Sequence, residues 1–357
     1  MHARFSLLLV AICFSQQLLA GSNTDSTRYN AGHRFIKITG RVDRSNAAEP
    51  RFWASGVYMT IRFKGSYCVL EIKDEEKWGK SHNYIHIIVD NANPVRIQTK
   101  SSSNRIVLAS GLPEGEHEIV VCKDTEASIG YLQPVTIICP QLLPPRKAPK
   151  RKIEFIGNSI TCGMGNYDAD IKCGSGEWYD QHSAYMAYGP QTARLLNAQW
   201  QLTSESGIGL IKSCCDKKNV MPQLFDKTDI NKDGLSWNFK LYQPDVVTVC
   251  LGQNDGIQDS TAFCSAYVNF LQTIRRQYPR AELVLLTSPM ADKPLDSTLR
   301  RYINAVEQTL RQQGDKRVSH YFFRNRYIGG CSFHPNLQEH TAMAAELSAY
   351  IRKRMNW

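Results

Sequence analysis

The stretch "IEFIGNSITCGMGN", from Ile153 to Asn166, decides how the second half of the chain folds and what it can do. It opens with an apolar, β-rich run typical of a buried strand, and the run breaks at Gly157, so that Ser159 stands just past the strand end. In one interpretation this serine only caps the start of a helix. In the other it is a nucleophile at the edge of a sheet, beside the free N–H groups of a helix start. The rest of the chain decides between the two.

After Lys152 the sequence alternates between short apolar runs and segments whose apolar residues have helical spacing. The run 246–251 is rich in β-branched residues and almost entirely apolar, which is typical of a strand buried on both faces of a parallel sheet. The alternation predicts a three-layer α/β domain over 153–357, in which functional side chains follow the carboxyl ends of the strands. The predicted strands are 153–156, 200–203, 246–251, 283–286 and 318–323, and the predicted helices are 188–196, 263–274, 299–310 and 337–351.

The first half of the chain has a different rhythm. Between residues 29 and 140, β-branched or alternating runs are separated by turn residues at a spacing of roughly 10–12 residues, which predicts an all-β sandwich domain over 21–140. The segment 141–152 combines prolines with basic residues and predicts a stiff, solvated linker between the two domains. Its basic residues are Arg146, Lys147, Lys150, Arg151 and Lys152.

The N-terminus has the composition of a secretory signal peptide over 1–20. Arg4 provides a positive start, an apolar run covers 5–13, and the expected cleavage site after Ala20 is followed by Gly21 and Ser22, although Leu18 is a poor residue three positions before the cut. The run is too short for a transmembrane helix, so we expect export, to the periplasm or outside the cell, and no membrane span. The net charge is +10, but much of the excess lies in the linker, and an exported protein is not expected to bind nucleic acid.

The cysteines do not define a connectivity. Eleven are present, one of them in the predicted signal peptide, and export permits disulfides. Cys162 and Cys173 form one candidate pair, Cys214 and Cys215 could each pair with a distant partner, and Cys250 is interpreted as a buried thiol. No C-x-x-C pair occurs, so we expect no zinc site.

Three further loops follow predicted strands and carry groups that complement Ser159. "SESGIGL", 204–210, offers backbone N–H groups around Gly207, and "LGQNDG", 251–256, offers the side-chain amide of Asn254. "GGCSFHPN", 329–336, holds His334 just before the last predicted helix. Each loop alone is explained equally well by an ordinary turn or cap. Together they provide a nucleophile, a base and donors for an oxyanion, which is the set that acyl transfer requires.

In this order, the blocks around Ser159, Gly207, Asn254 and His334 resemble those of the SGNH (GDSL-like) hydrolases. The chain is more closely similar to carbohydrate esterase family two, in which a jelly-roll β-sandwich precedes the SGNH domain. The resemblance implies a serine esterase that removes O-acetyl groups from plant cell-wall polysaccharide, such as xylan or glucomannan, without metal or cofactor. It implies Ser159 as nucleophile and His334 as base. The implied oxyanion hole consists of the Ser159 and Gly207 backbone N–H groups and the Asn254 side chain.

One departure from that pattern concerns the orientation of His334. Related enzymes often carry an aspartate two or three residues before the histidine, and this chain has Ser332 and Cys331 there. Neither residue supplies the charge that stabilises an imidazolium. Either a backbone carbonyl or another group then orients His334, as in a dyad, or the activity is impaired.

The substrate contacts and the competing functions stay open at this point. Trp178, Tyr179 and Trp237 lie in predicted loops and could stack on sugar rings, although ordinary packing explains each of them as well. The missing aspartate leaves room for a glycan-binding protein with a decayed esterase domain. A lipase or thioesterase on the same fold is a third candidate, but the loop after Ser159 is polar and glycine-rich, which favours a sugar in an open cleft.

Overall fold

The computed structural model describes residues 26–230 and 234–357 of the chain, and the predicted signal peptide lies outside these residues. The first half forms two antiparallel sheets, as the sequence predicts. Its strands are β1 (Thr27–Asn30), β2 (Lys37–Thr39), β3 (Tyr58–Lys64), β4 (Cys68–Asp74), β5 (Tyr84–Val89), β6 (Val95–Gln98), β7 (Ser103–Ala109), β8 (Glu116–Lys123), β9 (Leu132–Cys139) and β10 (Gln141–Leu142). One sheet has the order β1-β9-β4-β7, and the other has the order β10-β3-β8-β5-β6 with β2 also paired to β3.

Alternation along the strands builds the core of this sandwich. In β3, Met59, Ile61 and Phe63 are buried, whereas the residues between them are partly exposed. The buried side chains pack against Leu70 and Ile137 from the other sheet. Burial of each large apolar side chain stabilises the fold by about 1.5–3 kcal/mol, and a slip of one residue would turn all of them to the wrong face. The apolar pattern therefore fixes the register of the strands.

The second half is an α/β domain around a five-stranded parallel sheet, which confirms the predicted fold class. The strands are β11 (Arg151–Gly157), β12 (Ala198–Ser204), β13 (Val246–Cys250), β14 (Glu282–Leu286) and β15 (Val318–Tyr321), in the order β12-β11-β13-β14-β15. The helices are α1 (Ser159–Cys162), α2 (Tyr188–Leu195), α3 (Met221–Leu224), α4 (Ser260–Gln277), α5 (Lys293–Gln312) and α6 (Leu337–Met355).

The helices cover both faces of the parallel sheet. Val247 and Val249 of β13 face α4 and α5, while Phe155 of β11 packs in the core that contains α2 and α6. Every residue of β13 is buried, which explains why its sequence is apolar at all positions but Thr248 rather than alternating. Across the ranges that the structure describes, no helix combines the length and the apolar composition needed to cross a membrane.

The sandwich packs directly against the edge of the α/β domain. Tyr58 of β3 stacks on Trp200 of β12 with ring centroids 4.0 Å apart, and the Trp200 Nε1 donates to the Gly56 carbonyl at 2.9 Å. Beside them, the buried Arg41 guanidinium donates to Glu154 Oε1 of β11 at 3.1 Å. The segment predicted as a linker, 141–152, begins with β10, which pairs with β3, and ends in the first residues of β11.

Candidate active site

Ser159 is placed by the sharp exit of the chain from β11. A Cβ at Gly157 would lie 2.0 Å from the Thr161 Oγ1, so only glycine fits where the strand turns into α1. The cap of α1 is Asn158, whose side chain accepts a hydrogen bond from the Ile160 N–H at 3.2 Å. Because Asn158 does the capping, the Ser159 hydroxyl is left for another partner.

That partner is His334. Its Nε2 lies 2.8 Å from the Ser159 Oγ, and its Nδ1 lies 2.9 Å from the backbone carbonyl oxygen of Ser332. A carbonyl can only accept, so Nδ1 carries the proton and Nε2 accepts from the serine hydroxyl, which is the tautomer that a general base needs. Burial lowers the pKa of His334 below its ordinary value, because the protonated ring is poorly solvated there. The imidazole is therefore neutral at neutral pH.

The predicted oxyanion donors lie on the same cavity as this pair. Ser159, Gly207, Asn254 and His334 all line one cavity of about 370 Å³ beyond the carboxyl ends of β11, β12 and β13. Gly207 has a φ of +78°, which favours glycine in this turn. One N–H of the Asn254 side chain donates to the Ile208 carbonyl at 2.7 Å and fixes the amide, which leaves its second N–H for an oxyanion.

Two buried carboxylates hold the donor loops, and the sequence interpretation missed both. Asp255, next to Asn254, accepts hydrogen bonds from the backbone N–H groups of Leu210, Ile211 and Lys212. Glu126, from the sandwich half, accepts from the Ser206 N–H at 2.7 Å and from the Ser206 hydroxyl. Asp255 stands inside the quoted "LGQNDG" block, where it could have been noticed. Nothing local to the sequence marks Glu126.

The cavity wall also carries an ion pair. Lys217 Nζ lies 2.6 Å from Glu205 Oε1, and both residues line the cavity. Burial, with the nearby Glu126 carboxylate adding to it, raises the pKa of Glu205 to about 7. The Lys217 side chain also covers one side of Gly207, because a Cβ added there would lie 3.4 Å from its Cδ and Cε.

The three aromatic residues predicted to touch substrate lie in different surroundings. Trp178 lines the cavity with 47% of its surface exposed. Tyr179 is buried against Tyr84. Trp237 does not line the cavity: it is buried where the two halves meet, with the Arg41 guanidinium 5.7 Å from its ring centroid. The structure thus brings Trp178 to the site, packs Tyr179 away from solvent, and assigns Trp237 to the domain interface.

The disulfides differ from the pairing considered from the sequence. Cys173 pairs with Cys331, and Cys214 pairs with its neighbour Cys215, so the expectation of a Cys162–Cys173 pair is wrong. Cys162 is buried as a free thiol. Cys250 is also a buried thiol, as predicted. Over 26–230 and 234–357, no cluster of three or more histidine, cysteine or acidic side chains has the arrangement of a metal site.

Comparisons with known proteins agree with this architecture. The family model "Carbohydrate esterase 2 N-terminal" matches residues 38–145, and the model "GDSL-like Lipase/Acylhydrolase family" matches residues 155–340. The chain is 27% identical over 361 residues to an acetylxylan esterase / glucomannan deacetylase of Cellvibrio japonicus, covering 99% of this chain and 97% of that protein.

Two further similar proteins are a curated relative and a solved structure. The chain is 33% identical over 335 residues to the cellulase/esterase CelE of Acetivibrio thermocellus, covering 90% of this chain and 40% of CelE. It therefore spans less than half of that longer protein. A solved structure of a family two carbohydrate esterase from Clostridium thermocellum, in complex with cellohexaose, superposes with a TM-score of 0.83 at 31% identity, covering 90% of this chain and 99% of that one.

Proposed function

We propose a reaction for this chain on the premise that it belongs to carbohydrate esterase family two and is a carboxylic ester hydrolase of the GDSL type. The proposed reaction is removal of O-acetyl groups from plant cell-wall polysaccharide, such as xylan or glucomannan. The observation that carries it is the 2.8 Å hydrogen bond between Ser159 Oγ and His334 Nε2, at a cavity shared with Gly207 and Asn254. The names of the Cellvibrio relative and the cellohexaose in the Clostridium structure support the substrate class.

In the proposed mechanism, His334 Nε2 takes the hydroxyl proton as Ser159 Oγ attacks the acetyl carbonyl. The carbonyl oxygen becomes an oxyanion, which the Ser159 and Gly207 N–H groups and the Asn254 amide stabilise by hydrogen bonds. The tetrahedral intermediate collapses to an acetyl-serine as the bond to the sugar oxygen breaks, and His334 gives its proton to that departing oxygen, which leaves as a hydroxyl. A water molecule, deprotonated by His334, then attacks the acetyl-serine. Acetate leaves, and the proton returns to Ser159.

The pair works as a dyad in this proposal. Nδ1–H of His334 donates to the Ser332 carbonyl, whose dipole orients the ring and offsets part of the positive charge that forms on it. A carbonyl dipole stabilises an imidazolium less than a carboxylate does. We therefore expect the enzyme to depend strongly on how rigidly this carbonyl is held.

We also propose that the protein is exported. The composition of 1–20 is the primary support. The two disulfides in the described part of the chain add to it, because disulfides persist mainly in oxidising compartments.

The experiment that tests the function is acetate release from an aryl acetate and from acetylated xylan and glucomannan. The mature chain is compared with Ser159→Ala and His334→Ala. We expect each variant to lose at least about a thousandfold in kcat, and the double variant to lose no more than the worse single one, because the two side chains act as one unit.

Two results would redirect the assignment. If the folded wild type is no faster than Ser159→Ala on any ester but retains polysaccharide in a binding assay, it is a glycan-binding protein. If long-chain aryl esters are hydrolysed faster than the acetate, the lipase alternative holds instead.

A further inference from the structure

We propose that the Cys173–Cys331 disulfide positions the catalytic base. It holds the loop that presents the Ser332 carbonyl to His334, and this carbonyl orients the ring as a carboxylate does in a Ser-His-Asp triad. This inference rests on the proposed function. It concerns the position where the sequence lacks the usual aspartate.

The disulfide anchors the loop 329–336, here called the histidine loop, near its start. Cys331 stands three positions before His334 and is 6% exposed, whereas its partner Cys173 belongs to the exposed, glycine-rich loop after α1. Within the histidine loop, the His334 N–H donates to the Cys331 carbonyl at 3.1 Å and the Gly330 N–H donates to the His334 carbonyl at 2.6 Å. A displacement of Cys331 would therefore be passed directly to His334.

Cys331 also lies against the segment that follows the nucleophile helix α1. The Cys331 N–H donates to the Gly165 carbonyl at 2.8 Å, and the nearby Met164 N–H donates to the Ser159 carbonyl at 3.0 Å. A Cβ at Gly165 would lie 2.5 Å from the Cys331 carbonyl oxygen, and one at Gly330 would lie 2.6 Å from the Gly165 carbonyl oxygen. The two backbones are in van der Waals contact, so the position of Cys331 sets the distance between nucleophile and base.

The two residues between the anchor and the base receive little support from side-chain packing. Ser332 and Phe333 both have left-handed backbone conformations, with φ of +52° and +56°, which side-chain-bearing residues rarely adopt. The Phe333 side chain is 75% exposed, and Ser332 is also exposed. Packing does not hold this strained turn in place. The covalent link at Cys331 and the Gly165 contact therefore act together with the backbone hydrogen bonds of the loop to keep the Ser332 carbonyl directed at Nδ1.

The test removes the link by the double substitution Cys173→Ser with Cys331→Ser in the mature chain. We expect kcat on an aryl acetate to fall by about 10- to 100-fold, with KM within about twofold, because misplacement of a base by about 1 Å has an effect of this size. Nitrogen NMR of the His334 ring should show the fixed Nδ1–H tautomer in the wild type and tautomer exchange in the variant.

A matched control separates positioning from loss of stability. Val306→Ala truncates a buried side chain of α5, in the layer formed by α4 and α5. It should lower the melting temperature without changing kcat or the His334 tautomer. If the double variant does not fold, Cys173→Ala replaces it, because Cys173 is exposed and its removal takes away only the link.

Two kinetic results would overturn the proposed role of the disulfide. The first is an unchanged kcat together with an unchanged His334 tautomer in the variant that lacks the disulfide. The second is a rise in KM alone, which assigns the disulfide to substrate binding by the Cys173 loop. If the wild type hydrolyses no ester, the proposed function fails, and the NMR comparison still reports whether the disulfide fixes His334.

Discussion

Glu126→Ala tests whether the β-sandwich takes part in the chemistry of the other domain. Glu126 is fully buried, and its two carboxylate oxygens accept from the N–H and the hydroxyl of Ser206. Ser206 immediately precedes Gly207, whose N–H is a proposed oxyanion donor. The substitution leaves both Ser206 donors without their acceptor and removes these hydrogen bonds between the loop and the sandwich.

The magnitude follows from the two lost hydrogen bonds. A buried donor left without an acceptor costs about 1–3 kcal/mol. Ser206 is only half-buried, so water can partly replace the carboxylate. For the two hydrogen bonds together we expect a loss near the lower limit, so that the correct loop conformation is destabilised by about 2–3 kcal/mol. A loop that leaves its position withdraws the Gly207 N–H, and loss of one oxyanion donor lowers kcat by about 10²- to 10³-fold. Because the loop still occupies its correct conformation part of the time, we expect kcat to fall by less than that, by about 10- to 100-fold.

The assay is steady-state kinetics on an aryl acetate, together with the melting temperature. Glu126→Gln should lie between the wild type and Glu126→Ala, because its single carbonyl oxygen can serve one of the two donors well. Glu71→Ala is the control: Glu71 also lies in the sandwich, but its ion pairs with Arg28 and Arg105 are on the surface, where such pairs contribute little. A Glu126→Ala enzyme with a lower melting temperature and a kcat within twofold of wild type would refute the reasoning.

Two further predictions concern the site itself. Asn254→Ala should lower kcat by about 10²- to 10³-fold with little change in KM, since its amide is proposed to meet charge only in the transition state; the same kinetic assay checks this, and an effect confined to KM would contradict it. For the pH dependence, the base must be neutral, and burial lowers the pKa of His334 from its ordinary 6.5. Activity is therefore lost only as the pH falls through that lowered pKa, so kcat/KM should reach half its maximum below about pH 6.5. A profile measured from about pH 4.5 to about pH 8 checks this, and a midpoint above about pH 7 would be evidence against a buried neutral base.

The position of the site is predictable from the sequence because of the geometry of parallel sheets. The strands before Ser159, Gly207 and Asn254 are neighbours in the sheet, and their carboxyl ends meet at one edge. Each of these residues stands two to four positions after a strand that can be recognised from its local sequence. The structure accordingly places all three on one cavity, while their catalytic roles stay a prediction.

Other features depend on contacts that no local pattern records. Trp178 and Trp237 both lie in loops, yet only the packing of the two halves determines that Trp237 covers Arg41 and Trp178 faces the cavity. The cysteines of the Cys173–Cys331 disulfide are separated by 158 positions, and spacing alone cannot pair them. Glu126 belongs to the other domain altogether, so a search of the α/β half alone would not find it.

The contact between the two halves restricts how such a protein can be recombined. Arg41 neutralises Glu154 in a strand that carries the nucleophile loop, and a buried carboxylate that loses its cation destabilises a fold by about 3–5 kcal/mol. In a chimera joined within 141–152, Arg41, Tyr58 and Glu126 would come from one parent protein. Their contact partners in the α/β half would come from the other parent. The sandwich is therefore not a detachable module. In evolution or in engineering, the two halves should be inherited as one unit.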